Sequence, residues 1–370
     1  MIDPLSFNRA FLLNQQSLLG ISDPLPLERA VHAFALLERL ALSKLDLIFK
    51  GGTAVMLLLG QPRRISTDVD IVCLAPPRVF EAALKKWIRH PPFLRWERDI
   101  RGTDNEPPHR RHYQVYFHSQ FQPAAPAYII LDVVSQACGI PDKHLIFRNI
   151  DCPFLALSGA PSQVKTPCVD ALLGDKLTAF APNTTGVPFH DPRRLDDSSH
   201  QVLKQLFDIA QLFDHITDIG IVRESYLSVL NREGSFRHLT GLPERALHDT
   251  LQTAFTISTL GTRRKKYPND DLIQKGIKSM ASDLIHQTAF ALPQARLAAA
   301  KAAYLSILIF TEKQLNRYIN TSDTQAMLRQ YEFPVDLGVL NPLKKVSVEA
   351  FWYWREIYRI APKLTASLAK

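Results

Sequence analysis

The chain has 370 residues, of which 46% are hydrophobic and 22% are charged. This composition is typical of folded globular proteins and excludes fibrous and intrinsically disordered classes. The formal net charge of +8 predicts a surface that attracts polyanions, with nucleic acid as the leading partner class and nucleotides or acidic proteins as alternatives. Because single cores stop growing at about 250–300 residues, we expect two domains.

The sequence favours neither a membrane protein nor an exported one. Its most apolar window, Ala291 to Phe310, is interrupted by Arg296 and Lys301 and predicts a buried helix. Asp3 and Pro4 stand where a secretory signal needs basic residues. The four cysteines, at positions 73, 138, 152 and 168, lack CxxC spacing, which favours buried thiols over disulfides or zinc ligands. We therefore expect a cytoplasmic protein without membrane contact.

Strands and helices are predicted to alternate in the first part of the chain. A capped helix start at Ser22 to Pro26 precedes apolar residues at helical spacing up to Ala41. The further predicted elements are a strand at 45–49, a glycine turn at 51–52, a helix at 53–60, a strand at 69–74, a helix at 79–88, and strands at 112–118 and 127–135. This order indicates a mixed sheet flanked by helices.

Helices are predicted almost throughout the remainder of the chain. A segment rich in Pro, Gly and Asn, from Ala181 to His200, connects the first two of them. The predicted helices are 170–180, 201–213, 243–258, 271–288, 296–318 and 346–360. We therefore expect an α+β fold, with a first domain at residues 1–160 and a helical C-terminal domain at residues 161–370.

A glycine turn between a strand and a helix is a candidate phosphate site. Gly51 and Gly52 let the backbone approach an anion closely. A helix beginning near Thr53 points free N–H groups and the positive end of its dipole at that anion, and the Thr53 hydroxyl adds a donor. Glycine pairs are also common in ordinary turns, so this motif alone leaves both interpretations open.

Three aspartates are candidate metal ligands. Asp68 and Asp70 lie two apart on a predicted strand and project to one face, where a divalent cation would relieve their repulsion. Asp132 lies within YIILDVV, which predicts a fully buried strand, where a charge is costly unless it is paired or metal-bound. Mg²⁺ prefers such oxygen ligands together with substrate phosphates. The alternatives are surface charge for the first pair and a strand-end salt bridge for Asp132.

Two predicted helices carry further charged candidates. Lys176 shares a helix face with Leu173 and Leu177, so it needs an anion, such as a nucleotide phosphate, or must extend to solvent. In the next helix, Lys204 and Asp208 lie on a polar stripe, which favours a solvated i,i+4 ion pair.

Three other clusters favour structural interpretations. Basic and aromatic residues from His109 to His118 predict a solvated strand, with an RNA-contacting edge as the alternative. The basic run Arg263 to Lys266 predicts a solvated loop, with a phosphate-backbone contact as the alternative. The aromatic run Phe351 to Trp354 favours core packing over base stacking.

Several sequence blocks resemble the motifs of a known enzyme family. FKGGTA at 49–54 and RISTDVDI at 64–71 resemble the first motif of the AbiEii/AbiGii toxin nucleotidyltransferases, which belong to the DNA polymerase β-like superfamily. GDKLTAF at 174–180 and KQLFD at 204–208 resemble the second and third motifs. The chain departs from the pattern at Gln205, where an acidic residue is common, and by one extra residue between Gly60 and Ser66.

The resemblance implies a polymerase β-like catalytic domain followed by a helical domain that completes the nucleotide cleft. It implies a nucleotidyltransferase that depends on Mg²⁺, with Mn²⁺ as the alternative, and uses a nucleoside triphosphate (NTP). It further implies a toxin with a cognate antitoxin, or a phage-defence protein, that transfers a nucleoside monophosphate (NMP) to RNA, such as the acceptor end of tRNA. Two alternatives stay open: nucleotidylation of a protein hydroxyl, and a non-catalytic nucleotide-binding or interaction protein.

The resemblance also assigns roles to the candidate residues. Asp132 is expected to act as a general base as well as a metal ligand, and Asp208 becomes an active-site residue rather than a surface ion pair. The expected metal ligands are Asp68, Asp70 and Asp132. The expected catalytic residues are Asp68, Asp70, Asp132, Lys176 and Asp208. The expected nucleotide-binding residues are Gly51, Gly52, Thr53, Arg64, Ser66 and Lys176.

Overall fold

A computed structural model describes residues 1–101, 109–190, 197–237, 241–263, 265–286 and 288–368. The chain forms two compact units. Unit 1 comprises Met1–Leu172 and Ser282–Thr288, and unit 2 comprises Leu173–Ala281 and Ala289–Lys370. Unit 1 thus extends beyond residue 160, where the sequence predicts a boundary. No helix in these described ranges has both the length and the apolar character that a membrane crossing requires.

Unit 1 combines helices with two sheets. Its helices are α1 (Arg9–Leu19), α2 (Pro24–Leu42), α3 (Gly51–Leu59) and α4 (Pro77–Trp87). Its strands are β1 (Leu47–Lys50), β2 (Val69–Cys73), β3 (Phe93–Asp99), β4 (Arg110–Phe117), β5 (Ala127–Val134), β6 (Leu145–Asn149) and β7 (Gln163–Pro167).

The larger sheet has the strand order β1-β2-β5-β4-β3. β2 and β5 are parallel, whereas the other neighbouring strands are antiparallel. Helix α2 packs on β2 and β5, and α3 packs on β1 and β2. The predicted α+β class, with a mixed sheet flanked by helices, is therefore confirmed.

β5 alternates between a buried face and a half-open face. Ile129, Leu131 and Val133 are buried at 1% exposure or less. Tyr128 and Asp132 project from the opposite face because successive side chains of a strand alternate in direction. The prediction of a fully buried strand here was wrong, since a run of apolar residues in sequence cannot distinguish a strand covered on both faces from one covered on a single face.

β3 is a strand that the sequence analysis missed. It lies at the edge of the sheet and exposes Leu94, Arg95, Glu97 and Arg98. Its sequence, FLRWERD, lacks a regular alternation of apolar and polar residues because charged residues are tolerated at an exposed edge. The hairpin β6–β7 and helices α1 and α7 were likewise not predicted.

Unit 2 is helical throughout its described elements. They are α5 (Val169–Ala179), which begins in unit 1, α6 (Ser199–Phe213), α7 (Ile219–Arg237), α8 (Leu242–Thr259), α9 (Asp270–Ser279), α10 (Leu292–Thr311), α11 (Ser322–Gln330), α12 (Leu343–Val346), α13 (Val348–Ile360) and α14 (Pro362–Ser367). Helix α10 packs against α6, α8 and α13. The aromatic run Phe351–Trp354 is buried, and the Trp354 indole N–H donates to Ser258 Oγ at 2.9 Å, so its predicted core role is confirmed.

Two predicted helix boundaries differ from those in the structure. The helix predicted at 271–288 ends at Ser279, and residues 282–288 return to unit 1. The helix predicted at 296–318 runs from Leu292 to Thr311. In the first case the apolar spacing continues past the helix end because Leu284 and Ile285 serve a different element, which periodicity alone cannot show.

Candidate active site

A row of ionisable residues crosses the larger sheet of unit 1. Lys50 on β1 lies opposite Asp70 on β2, and Asp70 lies opposite Asp132 on β5. Asp132 in turn lies opposite His112 on β4, which lies opposite Asp99 on β3. Since residues in register project to the same face of a sheet, the strand pairing gathers five polar side chains that are distant in sequence. We call these five residues the polar row.

Asp70 and Asp132 are the adjacent carboxylates of this row. They occupy matching positions on neighbouring parallel strands, and such strands lie about 4.8 Å apart. Asp68 comes directly before β2 and is separated from Asp70 by the fully buried Val69. The structure therefore places Asp68 and Asp70 around one buried residue, as their spacing predicts, and brings Asp132 beside Asp70.

Helix α3 begins at Gly51, directly after β1. Gly51 has a φ of +82°, a conformation that favours glycine. A Cβ atom at this position would overlap the carboxylate of Asp70. The glycine therefore allows a carboxylate of the polar row to lie against the backbone at the helix start, where free N–H groups and the helix dipole attract anions.

Gly52 is approached by two of the predicted nucleotide-binding residues. A Cβ atom on Gly52 would lie 2.5 Å from Arg64 Nη2 and 2.8 Å from Ser66 Oγ. Arg64 is buried, at 5% exposure. The first turn of α3 is thus faced by a guanidinium and a hydroxyl, both of which can bind phosphate oxygens.

The Thr53 hydroxyl has a different role from the predicted one. It donates to the backbone carbonyl of Asp68 at 2.5 Å, and Thr53 is fully buried. This bond ties the segment before β2 to the first turn of α3. Thr53 therefore positions Asp68, and its hydroxyl hydrogen is not directed at a phosphate.

A returning segment of unit 1 holds Arg64 in place. Arg64 forms an antiparallel bridge with Leu284. The Ile65 N–H donates to the Asp283 carbonyl at 2.6 Å, and the Ile285 N–H donates to the Arg63 carbonyl at 3.1 Å. Sequence analysis missed this support because the pairing joins segments that are far apart in the chain.

His112 is a site residue that sequence analysis did not identify. Its ring Nδ1 lies 2.6 Å from Asp132 Oδ1. The side chain of His112 is 6% exposed and that of Asp132 is 31% exposed. The prediction of a solvated strand was wrong at this point, because Arg111 and His112 are both buried. The sequence of β4 does not show which residue His112 contacts. Only the strand register reveals Asp132 as its partner.

The carboxylates fit a magnesium ion with few protein ligands. Among the described residues, no group of three or more His, Cys, Asp or Glu side chains converges closely enough to hold a metal ion by itself. Mg²⁺ is typically bound by one or two carboxylates together with substrate phosphates. Asp70 and Asp132, which lie side by side on neighbouring strands, are a donor set of this type.

Unit 2 contains a separate buried ion pair. Lys176 Nζ on α5 lies 2.9 Å from Asp208 Oδ2 on α6, with side chains 6% and 1% exposed. Lys176 also donates to Gln205 Oε1 at 3.1 Å. The anion that the apolar helix face of Lys176 requires is therefore present within the unit. The prediction of a solvated Asp208 was wrong. The resemblance to the family assigns both residues to the active site, and that role stays a prediction.

The glycine of the second motif has a packing role. A Cβ atom on Gly174 would lie 2.7 Å from the Val222 carbonyl oxygen and 2.8 Å from the Tyr226 nitrogen on α7. Only a residue without a side chain permits this approach between α5 and α7. The close contact fixes the position of α5, which carries Lys176.

The basic run at 263–266 is not a set of four unpaired cations. Arg263 Nη1 donates to Asp270 Oδ2 at 2.7 Å, and its guanidinium lies 3.9 Å from the centre of the Tyr267 ring. Lys266 Nζ pairs with the exposed Asp271 at 2.7 Å. Arg264 lies outside the described residues. The prediction of a solvated loop was therefore wrong for Arg263, whose side chain is 7% exposed, whereas Lys266 is exposed.

All four cysteines are free thiols. Cys73, Cys138 and Cys152 are buried, and Cys168 is partly exposed. Burial raises the pKa of the Cys73, Cys152 and Cys168 thiols, which keeps them protonated and unreactive. The expectation of buried thiols without disulfides agrees with the structure at the first three positions.

One family model matches the sequence over most of the chain. The family described as "Nucleotidyl transferase AbiEii toxin, Type IV TA system" matches residues 35–299. This range includes the polar row, the glycines of α3 and the Lys176–Asp208 pair. No curated protein matches the sequence.

Two solved structures are similar at low sequence identity. MenT4, a nucleotidyltransferase toxin from Mycobacterium tuberculosis H37Rv, is 13% identical, with a TM-score of 0.46 over 81% of this chain and 89% of its own. JHP933 from Helicobacter pylori is 15% identical, with a TM-score of 0.39 over 77% of this chain and 93% of its own. At these TM-scores the likeness carries no argument about substrate.

Proposed function

Because the chain belongs to the AbiEii family of nucleotidyltransferase toxins of type IV toxin–antitoxin systems, we propose that it transfers NMP from an NTP to RNA with the help of Mg²⁺. Family membership makes the chain a nucleotidyltransferase, so the non-catalytic alternative is removed. The cation, the triphosphate substrate and the RNA acceptor are the proposed parts. A cognate antitoxin is the expected protein partner.

One observation carries the proposal: Asp70 and Asp132 lie side by side in register, and the carboxylate of Asp70 lies against Gly51, the first residue of α3. Like charges in neighbouring positions are unfavourable unless a cation or a hydrogen-bond donor compensates them. The helix start, by contrast, favours anions. A triphosphate with a divalent cation would fit both groups, because the helix start would bind its phosphates and the carboxylates would hold its cation.

Mg²⁺, or Mn²⁺ as the alternative, would be held by Asp70 and Asp132, with Asp68 at the edge of the site. When bound, the cation neutralises phosphate charge and favours the ionised form of an attacking hydroxyl. The backbone N–H groups at Gly51 and Gly52 would bind phosphate oxygens. Thr53 contributes by fixing Asp68 through its carbonyl.

The proposed transfer is a displacement at phosphorus. The acceptor hydroxyl oxygen forms a bond to the α-phosphorus, and the bond from that phosphorus to the oxygen shared with the β-phosphate breaks. Pyrophosphate leaves, and the hydroxyl proton passes to a carboxylate oxygen of Asp132, which acts as the general base.

Cationic and polar side chains would stabilise the triphosphate. Arg64 and Ser66 both approach Gly52, which supports their proposed contact with phosphate. Lys176 is the proposed further cation, and Asp208 holds its ammonium in a fixed position. The assignment of Lys176 and Asp208 follows the family motifs.

RNA is favoured over a protein hydroxyl by the charge of the chain. A net charge of +8 promotes binding of a polyanion, whereas a protein acceptor would not require it. The test is incubation of the protein with Mg²⁺, each α-labelled NTP, and either total RNA or an RNA-free lysate, with Asp70→Asn as the matched control. We expect a labelled product that resists protease and is degraded by nuclease.

Three results would contradict parts of the proposal. Label that moves with protein and resists nuclease would identify a protein acceptor. Transfer at the same rate in excess chelator would show that the reaction does not need a divalent cation. Equal rates of transfer by wild type and Asp70→Asn would show that the polar row is not the active site.

A further inference from the structure

We propose that His112 is a positioning residue for the transfer, which acts by holding the carboxylate of Asp132 in its working orientation. The inference rests on the proposed role of Asp132 as metal ligand and general base. It concerns a residue outside the sequence blocks that resemble the family motifs, and it follows from the geometry of the polar row.

The strand register makes the contact between His112 and Asp132 specific. The two residues are opposite each other on the antiparallel strands β4 and β5. Their side chains project to the same face, and His112 Nδ1 lies 2.6 Å from Asp132 Oδ1. A contact fixed by the backbone pairing of two full strands has little freedom to drift.

The direction of the hydrogen bond follows from the chemistry of the two groups. An ionised carboxylate only accepts hydrogen bonds, so His112 Nδ1 must carry the hydrogen. The bond occupies Oδ1 and leaves Oδ2 as the oxygen for a cation or for the proton of the acceptor hydroxyl. His112 thereby determines which oxygen of Asp132 takes part in the chemistry.

The position of β5 makes this control useful. β5 lies between β2 and β4 in the sheet, so His112 and Asp70 flank Asp132 on opposite sides. Without a donor on the β4 side, the Asp132 carboxylate would be free to rotate about its terminal bond. Replacing a residue that donates a hydrogen bond to a metal-binding carboxylate typically lowers metal affinity or activity by about 10–100-fold.

Burial distinguishes His112 from the neighbouring histidines. His112 is buried, whereas His109 and His118, at the two ends of the same strand region, are exposed. A buried imidazole loses hydration and needs a hydrogen-bond partner. The partner of His112 is the partly exposed Asp132 and not a residue of the core. The hydrogen bond therefore joins a buried, rigid side chain to the carboxylate that is proposed to react.

Three substitutions test the inference. His112→Asn keeps an N–H donor close to the position of Nδ1, His112→Gln places a donor near the position of Nε2, and His112→Ala removes the donor. We expect kcat for NMP transfer to fall about 10–100-fold in the Ala variant, with the KM for NTP nearly unchanged. The Asn variant should recover most of the lost kcat, and the Gln variant should recover little.

Two controls separate positioning from folding. His118→Ala removes an exposed histidine next to β4 and should leave both kcat and the thermal unfolding midpoint unchanged. The double variant His112→Ala with Asp132→Asn should be no slower than Asp132→Asn alone, because His112 acts through Asp132. An additional independent loss in the double variant would contradict the inference.

A binding measurement gives a result that does not depend on transfer. Mn²⁺ alone, titrated calorimetrically, should bind about tenfold more weakly to His112→Ala than to wild type, and the Asn variant should restore the affinity. Equal Mn²⁺ affinity and equal kcat in wild type and a folded His112→Ala variant would overturn the inference. So would equal defects in the Asn and Ala variants. If wild type transfers no NMP, the proposed function fails, and the Mn²⁺ titration still decides the role of His112.

Discussion

The two units hold their charged groups in different ways. In unit 1, Asp70 and Asp132 lie in the polar row of a sheet, partly open to solvent, and the Asp132 side chain is 31% exposed. In unit 2, Lys176 and Asp208 form an ion pair whose side chains are 6% and 1% exposed. The first group is more exposed to solvent, whereas the second is a buried pair within its own unit.

This difference predicts different consequences of substitution. Asp70 lies on the partly exposed face of β2, so its replacement should leave the fold in place while the chemistry is lost. Removing one member of the buried pair leaves the other charge without its counterion, which is strongly destabilising. Substitutions in the polar row of unit 1 should therefore lower activity without lowering stability. Substitutions in the Lys176–Asp208 pair of unit 2 should lower both.

The largest effect is expected for Asp70→Ala. Loss of a metal-binding carboxylate should lower the rate of NMP transfer by about 10³-fold or more, equivalent to several kcal/mol of transition-state stabilisation. The variant should remain folded, which its thermal unfolding midpoint checks. The rate is measured with labelled NTP. A rate within about tenfold of wild type would show that Asp70 is not an active-site residue.

The next effect concerns the start of α3 and uses a matched pair of glycines. Gly51 and Gly159 both have positive φ, at +82° and +69°, but only Gly51 faces the Asp70 carboxylate. Gly51→Ala and Gly159→Ala should each lose about 1–2 kcal/mol of stability from backbone strain. Only Gly51→Ala should also displace Asp70 and lower the transfer rate, by about 10²-fold for a shift near 1 Å.

The third prediction tests the buried pair of unit 2. Lys176→Ala should lower the free energy of unfolding by about 3–5 kcal/mol, because Asp208 is left buried and unpaired. The double variant Lys176→Met with Asp208→Leu should regain most of this stability without regaining transfer activity. Chemical denaturation measures the first quantity and labelled-NTP transfer the second.

Lys204→Ala on the same helix as Asp208 is the control for that experiment. Because Lys204 is only partly buried, its replacement should lower the free energy of unfolding less than replacement of the buried Lys176 does. A Lys176→Ala variant as stable as wild type would show that the pair carries little energy. Full transfer by the stable double variant would remove both residues from the reaction.

Local sequence patterns predicted the parts of the site that are close together in the chain. The strand, the two glycines, α3 and the pair Asp68–Asp70 all lie between residues 47 and 70, where spacing alone determines direction. The helical character of unit 2 also followed from apolar spacing. These features depend on neighbours within a few residues, which a single sequence displays.

Features that depend on pairing between distant segments were not predictable in the same way. The contact between His112 and Asp132 and the bridge between Arg64 and Leu284 arise from strand register, which no local pattern encodes. The burial of Asp208 also escaped prediction, since its polar stripe resembles a solvated helix face. The resemblance to family motifs assigned Asp208 to the active site but did not indicate its ion pair with Lys176.

The smallest expected effect is on the salt dependence of RNA affinity, and it should differ between two residues of the basic run in unit 2. Arg263 is paired with Asp270 and has a 7% exposed side chain, whereas Lys266 is 67% exposed beside an equally accessible Asp271. An exposed pair contributes less than about 1 kcal/mol and can exchange its carboxylate for an RNA phosphate. Lys266→Ser should therefore leave stability nearly unchanged and flatten the slope of log affinity against log salt by up to ~0.7 for single-stranded RNA.

Arg263→Ser should behave in the opposite way, since its charge is already neutralised inside the unit. Burial raises the pKa of the Asp270 carboxyl, and the hydrogen bonds from Arg263 and from the Tyr267 N–H lower it, with a net lowering. Loss of Arg263 removes the first of these donors and leaves only the Tyr267 N–H. We expect a lower unfolding free energy and an unchanged salt slope. A titration of total tRNA between about 50 and 200 mM salt measures both variants under the same conditions. If wild-type affinity does not depend on salt, phosphate contacts do not drive binding, and a protein acceptor replaces RNA as the leading hypothesis.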